Sequence, residues 1–229
     1  MTLIRHHSLI STRQQQITYL GTSGIETPGA TATLVPPTGT RAGDLVYIYA
    51  GVGSSGTRNF SITTTGGQSW TTNFYDSGTI PQIWVSWAVF NGTWSASPVV
   101  GIDGTAVSKA YIMFVFRAPK ISASWSADAS ANSFSAATDT HTISGITNTN
   151  NKTVTIGAMS CGASTFTGHT SVGWVYLGQF GQSGPNARTL FFFYKVQGYR
   201  YAMGATGNIT LTTDVTTTPY NVLRGFGLT

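Results

Sequence analysis

The sequence predicts an all-β protein built as an antiparallel, two-sheet β-sandwich. The stretch Gln82–Phe90 alternates along its length, and both of the resulting faces carry bulky apolar side chains. A period of two is the pitch of a β-strand, so this strand is expected to be buried on both sides. Strong turn signals follow at Asn91-Gly92 and Asp103-Gly104. Glu26 is the only glutamate, which argues against long helices stabilised by Glu–Lys pairs.

The same reasoning predicts further strands along the first half of the chain. Gly21–Gly29 is expected to be a loop, because Gly21, Gly24, Pro28 and Gly29 break regular structure. The polar segment Lys120–Asn151 is expected to carry loops and edge strands. The remaining predicted strands are Ile17–Leu20, Ala30–Val35, Asp44–Val52, Phe60–Thr65, Ser69–Phe74, Pro98–Ile102 and Lys109–Ala118.

The second half of the chain repeats the landmarks of the first half in the same order. Trp174 lies 104 residues after Trp70, and Leu211 lies 109 residues after Ile102. Leu190–Val196 corresponds in the same way to the end of the Gln82–Phe90 strand. Near-constant offsets favour a weak internal duplication, and about a dozen short strands separated by turn signals fit a jelly roll. We therefore predict one jelly-roll sandwich over residues 17–229.

The first 16 residues are expected to form an extended N-terminal arm. The segment is polar, and its basic side chains Arg5, His6, His7 and Arg13 meet no acidic residue before Glu26. Two interpretations are open. The arm is a frayed terminus, as is common, or it is an anchor that orders on a neighbouring protein.

Composition excludes several classes of function. The net charge is +5, but the basic residues of the body are scattered, so no nucleic-acid partner is expected. No apolar run approaches the roughly 18 residues of a membrane span, and residues 1–20 lack the apolar region of a signal peptide. Charged residues make up only 8% of the chain, which suits a protein packed into an assembly or exposed outside cells.

Candidate chemical sites are few. The acids Glu26, Asp44, Asp76, Asp103, Asp128, Asp139 and Asp214 form no recognisable pair for glycosidic hydrolysis. The histidines are too dispersed for a zinc site, so no catalytic residue, metal or cofactor is expected. Cys161 lies in an apolar run and is expected to be a small core residue.

Aromatic side chains are the one enriched class that could bind a ligand. Trp94 and Trp125 lie in loop-like segments, and Tyr199 and Tyr201 flank Arg200. These five residues are the candidates for stacking on a glycan, with packing in the core as the alternative.

The order of landmarks resembles a jelly-roll family found in tailed-phage structural proteins. The residues that carry this resemblance are Pro36-Pro37, the segment Gly39-Thr40-Arg41-Ala42-Gly43-Asp44-Leu45, then Trp70, Trp87–Phe90 and Ile112–Ala118, and later Gly173-Trp174 and Phe193–Val196. The resemblance covers roughly Ile17–Thr229. It implies an architecture and a virion setting, and it supplies no catalytic residue.

Composition and resemblance together lead to an expected function. We expect a non-enzymatic virion protein of the capsid-decoration type, anchored in part by its arm and released from the host by lysis. Its expected partners are other capsid or tail proteins and further copies of itself, with a trimer as one form. The alternative is a receptor-binding jelly roll of a tail or head fibre that binds a host-surface glycan.

Overall fold

A computed structural model describes residues 16–27, 31–53, 58–76, 82–104, 109–120, 123–134, 136–150, 152–181, 188–198 and 204–229. The described chain is all-β, which confirms the predicted class. Its strands are β1 (Thr18–Thr27), β2 (Thr31–Thr33), β3 (Leu45–Val52), β4 (Phe60–Thr64), β5 (Thr71–Asp76), β6 (Gln82–Val89), β7 (Val99–Ile102), β8 (Lys109–Arg117), β9 (Trp125–Phe134), β10 (Thr138–Ile143), β11 (Lys152–Gly162), β12 (Phe166–His169), β13 (Val175–Gly181), β14 (Arg188–Gly198), β15 (Ile209–Thr217) and β16 (Tyr220–Leu228).

The two halves of the chain have the same strand order. In the first half, a five-stranded sheet runs β1-β8-β3-β6-β5 and a three-stranded sheet runs β2-β7-β4. In the second half, the five-stranded sheet runs β9-β16-β11-β14-β13 and the three-stranded sheet runs β10-β15-β12. Adding eight to each strand number of the first half reproduces the second half.

The two five-stranded sheets pack face to face and share one large core. Its members come from both halves and include Tyr49, Phe114, Phe192 and Phe226. Smaller cores fill the space between each five-stranded sheet and its own three-stranded sheet. The body therefore has four layers, with the long sheets in the middle. This explains why β3 is buried at all eight positions and why strands such as β8 are apolar on both faces.

Contacts across the central core repeat between the halves. Trp87 of β6 contacts Phe226 of β16, with ring centroids 5.3 Å apart at 63°. Tyr194 of β14 contacts Phe116 of β8, with centroids 5.4 Å apart at 64°. Trp87 and Tyr194 occupy corresponding positions in corresponding strands, as do Phe116 and Phe226. The halves thus face each other in nearly equivalent ways.

Two features of the predicted sandwich differ from the structure. We expected a sandwich of two sheets, but each half forms a pair of sheets, so the described residues form four sheets. The prediction that Gly21–Gly29 is a loop is wrong for its first part, because β1 pairs with β8 as far as Thr27. An irregularity between Tyr19 and Gly21 accommodates the glycine within the strand. The prediction of edge strands in Lys120–Asn151 is confirmed, since β9 and β10 are outer strands.

Candidate functional site

The motif at Gly39–Asp44 forms a hydrogen-bonded turn that connects the start of β3 to the end of β8. The buried carboxylate of Asp44 accepts bonds from Nε of Arg117 at 3.0 Å and from Nη2 at 2.8 Å. It also accepts the backbone N–H of Arg41 at 2.8 Å, while Nη2 of Arg117 donates to the carbonyl of Gly39. The hydrogen bonds to Asp44 raise the pKa of Arg117. Asp44 therefore stabilises the turn that precedes β3 and connects this turn to Arg117 at the end of β8.

The other well-placed acids also hold turns. Asp128 accepts bonds from Thr149 and Asn150, through backbone and side chain in each case. Burial opposes its ionisation, but these bonds together lower its pKa. Asp103 binds the backbone and side chain of Asn59. In the described part of the chain, no three His, Cys, Asp or Glu side chains lie close enough to hold a metal ion.

Trp125 does not lie at the surface: of the two alternatives given for it, packing in the core is the one that the structure shows. Its side chain is 5% exposed and belongs to the central core. Its Nε1 donates to the carbonyl of Gly43 at 2.9 Å. The cause is that β9 begins at Trp125 and pairs it with Leu228, where the surrounding serines had indicated a loop.

Trp94 is half-buried and packs within the first half. Its ring stacks on Phe90, with centroids 4.6 Å apart at 22°. A Cβ added at Gly66 would lie 2.7 Å from a carbon of this ring, so only glycine lets the ring lie so close to the backbone. The arm residues Arg5, His6, His7 and Arg13 and the group Tyr199, Arg200 and Tyr201 lie outside the described residues.

The prediction for Cys161 is confirmed. Its side chain is fully buried, and Sγ lies 3.1 Å from Oγ of Ser164. It acts as a small core residue of the second half.

One side of the molecule combines exposed aromatic rings with unpartnered polar atoms. It is formed by β5 and β9, which are one outer strand from each of the two central sheets. They lie on the same side because β6, beside β5, contacts β16, beside β9. Sequence reasoning missed this surface, since being an outer strand depends on long-range pairing.

The aromatic residues of this side are Phe74 and Phe134. They are 46% and 53% exposed, and the other large apolar residues exposed within the described ranges are all valines. The ring of Phe74 stacks on Trp84 at 5.0 Å, and Trp84 stacks in turn on Phe60 at 6.0 Å. Phe74 is therefore held in a fixed position while almost half of it faces outward.

Unpartnered polar atoms lie on β5 and on β16, the strand beside β9. Oδ1 of Asn73 and Nε of Arg224 are buried and have no hydrogen-bond partner among the described residues. Burial raises the pKa of Tyr47 well above its ordinary value; nearby Tyr75 adds to the effect and the charge of Arg224 opposes it. Nδ2 of Asn132 donates to the hydroxyl of Tyr220 at 2.8 Å. This surface is suited to contact through stacking and hydrogen bonding.

His141 gives the second half a buried titratable group. Its ring is fully buried, Nε2 lies 3.2 Å from Oγ1 of Thr213, and Nδ1 has no partner in the described chain. Burial lowers the pKa of His141, and the charge of Asp139 opposes this effect. The ring is therefore neutral in the folded protein near neutral pH.

We expect this histidine to destabilise the fold in mild acid. Because its folded pKa lies below the unfolded value of about 6.5, the unfolded chain binds the proton first as the pH falls. The stability that depends on a neutral His141 is therefore present above about pH 6.5 and is lost progressively as the pH falls below this value. Urea unfolding at pH 7, 6 and 5 should show a shallower loss for His141→Gln than for the wild type. Equal losses in both proteins would contradict the assignment.

Comparisons with known proteins give no match: no family model, no curated protein and no solved structure matches the chain. The described residues contain no helix that is both long and apolar enough to cross a membrane.

Proposed function

We propose that the protein is a non-enzymatic structural protein of a tailed-phage virion, docked on the particle surface in the manner of a capsid-decoration protein. The observation that carries the proposal is the strand order. When the strands are counted from one within each half, both halves have the order 1-8-3-6-5 in the large sheet and 2-7-4 in the small sheet. A jelly roll has eight strands in two sheets. This order fits a jelly roll in which the fifth strand pairs with the sixth strand in the large sheet instead of joining the small sheet. The proposal is thus a tandem pair of jelly rolls.

The surface and the acids support a structural role. Only 8% of the residues are charged, so the exposed Thr, Ser and Asn side chains supply most of the solvation. Asp44, Asp103 and Asp128 hold turns with their carboxylates. A charge-poor body with rigid turns can pack against neighbouring virion proteins without desolvating many ions, a step that is costly for binding.

In this proposal the arm, residues 1–16, anchors the body to the particle. The first described residue, Gln16, is exposed and leads into β1, one of the two outer strands of the central sheet of the first half. An arm leaving from an outer strand can reach a neighbouring protein without disturbing the core. Its basic residues Arg5, His6, His7 and Arg13 would face acidic groups of that neighbour.

The direct test is to locate the chain in intact particles by cryo-electron microscopy. We expect regular copies on the shell, with residues 1–16 ordered against it. Particles without the chain would contradict a virion role, and copies confined to fibre tips would instead indicate receptor binding.

Deletion of residues 1–15 tests the anchor separately. We expect the truncated protein to be lost from purified particles, because the contact made by the arm is gone. Its thermal unfolding should match that of the full chain, which serves as the control for folding. Unchanged occupancy of the particles would show that the body docks without the arm.

A further inference from the structure

Among the described residues, the outer strands of the sheets are interrupted or very short, with β5 as the exception. An outer strand exposes unpaired N–H and C=O groups that can pair with another chain, and natural proteins limit this with bulges and short strands. Among the described residues, the register with the inner neighbour is broken for β1, β4, β9, β10, β12 and β13. The pairing of β2 is regular but only three residues long.

The exception is β5. It pairs with β6 without a break, from Thr71 opposite Trp87 to Asp76 opposite Gln82. It contains no Gly, Pro, Lys or Arg. Its counterpart in the second half, β13, is interrupted between Tyr176 and Gly178. Of the two corresponding edges, therefore, only the one in the first half is left regular.

The surroundings of β5 also point to a partner. Phe74, in the middle of the strand, is 46% exposed, and Phe134 on β9, an outer strand of the other central sheet, is 53% exposed. Oδ1 of Asn73 is buried without a hydrogen-bond partner in the described part of the chain. Burying exposed rings and satisfying such an atom are both favourable when a second strand covers the edge.

We propose that β5 is a dimer interface at which a second copy of this chain pairs with it, antiparallel and across a two-fold axis. A two-fold pair brings a strand against itself, so its charges must not meet. The only charged residue of β5 is Asp76, at its end. With the axis at Phe74, Asp76 lies opposite Thr72 of the partner subunit, and no like charges face each other.

The same register determines which side chains lie opposite each other across the interface. Residues directly opposite in an antiparallel pair share a face. Phe74 then lies opposite Phe74 of the partner subunit, so the exposed Phe74 ring of each subunit is covered by the other. Asn73 lies opposite Tyr75 of the partner subunit. The β5-containing sheet of each subunit has five strands, so the pairing joins the two copies into one ten-stranded sheet. This interface goes beyond the proposed virion role and stands independently of it.

Sedimentation equilibrium of the full chain tests the dimer. We expect a monomer–dimer equilibrium in the wild type. Phe74→Lys should raise the dimer dissociation constant at least about tenfold, because it places two charges at the centre of the interface. The matched control is Val175→Lys on β13, where the side chain is 45% exposed; this variant should leave the constant unchanged.

Cross-linking keeps the test decisive if Phe74→Lys fails to fold. The native Cys161 is buried, so a cysteine placed at the β5 edge is the accessible thiol. Phe74→Cys should form a disulfide-linked dimer under mild oxidation, and Val175→Cys should not. A wild-type monomer throughout the micromolar range would overturn the proposal. So would a trimer, cross-linking only through Val175→Cys, or a dimer that disappears on deletion of residues 1–15.

Discussion

Replacing Phe192 with alanine should cost about 3–5 kcal/mol of unfolding free energy, the range seen when a buried Phe is truncated to Ala. Phe192 is fully buried at the centre of the shared core. Its ring lies 5.1 Å from that of Tyr49 and 5.1 Å from that of Phe114, both from the opposite sheet. The truncation leaves a cavity between the two halves that neither sheet can close by itself. Urea unfolding should show a lower midpoint with an unchanged slope.

Phe134→Ala is the matched control, because it makes the same chemical change at a side chain that is 53% exposed. A surface substitution of this kind should cost less than about 1 kcal/mol. Equal losses in the two variants would mean that Phe192 does not lie in a core shared by the halves.

Asp44→Ala should cost about 2–4 kcal/mol, because removal of one partner leaves the other groups of a buried polar cluster unsatisfied. The change removes both bonds to Arg117 and the bond from the backbone of Arg41. Arg117 is partly exposed, so water can recover some of this loss. Thermal or urea unfolding of the variant measures the effect.

Asp103→Ala provides the comparison for this second prediction. Asp103 also accepts two hydrogen bonds at a turn, both from Asn59, but it lies at the surface, where water replaces them. Its loss should therefore cost clearly less unfolding free energy than the loss of Asp44. A cost at Asp103 as large as that at Asp44 would show that burial is not what makes the Asp44–Arg117 pair important.

Side-chain alternation predicted the inner strands well because it is a local property. Strands β3, β6, β8 and β14 carry apolar residues on both faces, and each lies within one or two residues of its predicted position. Alternation cannot tell which layers cover the two faces. The pairing of sheets within each half, and the stacking of the halves, therefore emerged only from contacts between distant parts of the chain.

The same limit explains why the place of Trp125 could not be predicted. Trp125 is surrounded by small polar residues in sequence, yet it pairs with Leu228 and donates to the carbonyl of Gly43, which come from the far end and the first half of the chain. Its side chain is buried in the central core. The sequence of β5 indicates an ordinary strand, and nothing local reveals that one of its sides has no neighbouring strand among the described residues. Outer-strand surfaces of this kind require the sheet order.

Cleavage of the connection between the halves tests most directly whether they form one body. A protease site inserted between Arg117 and Trp125, where β8 ends and β9 begins, allows the folded protein to be cut once. Because the two central sheets share a core, we predict that the fragments co-elute after cleavage and unfold in a single transition. Two fragments that separate, stay folded and unfold independently would show that the halves do not share a core.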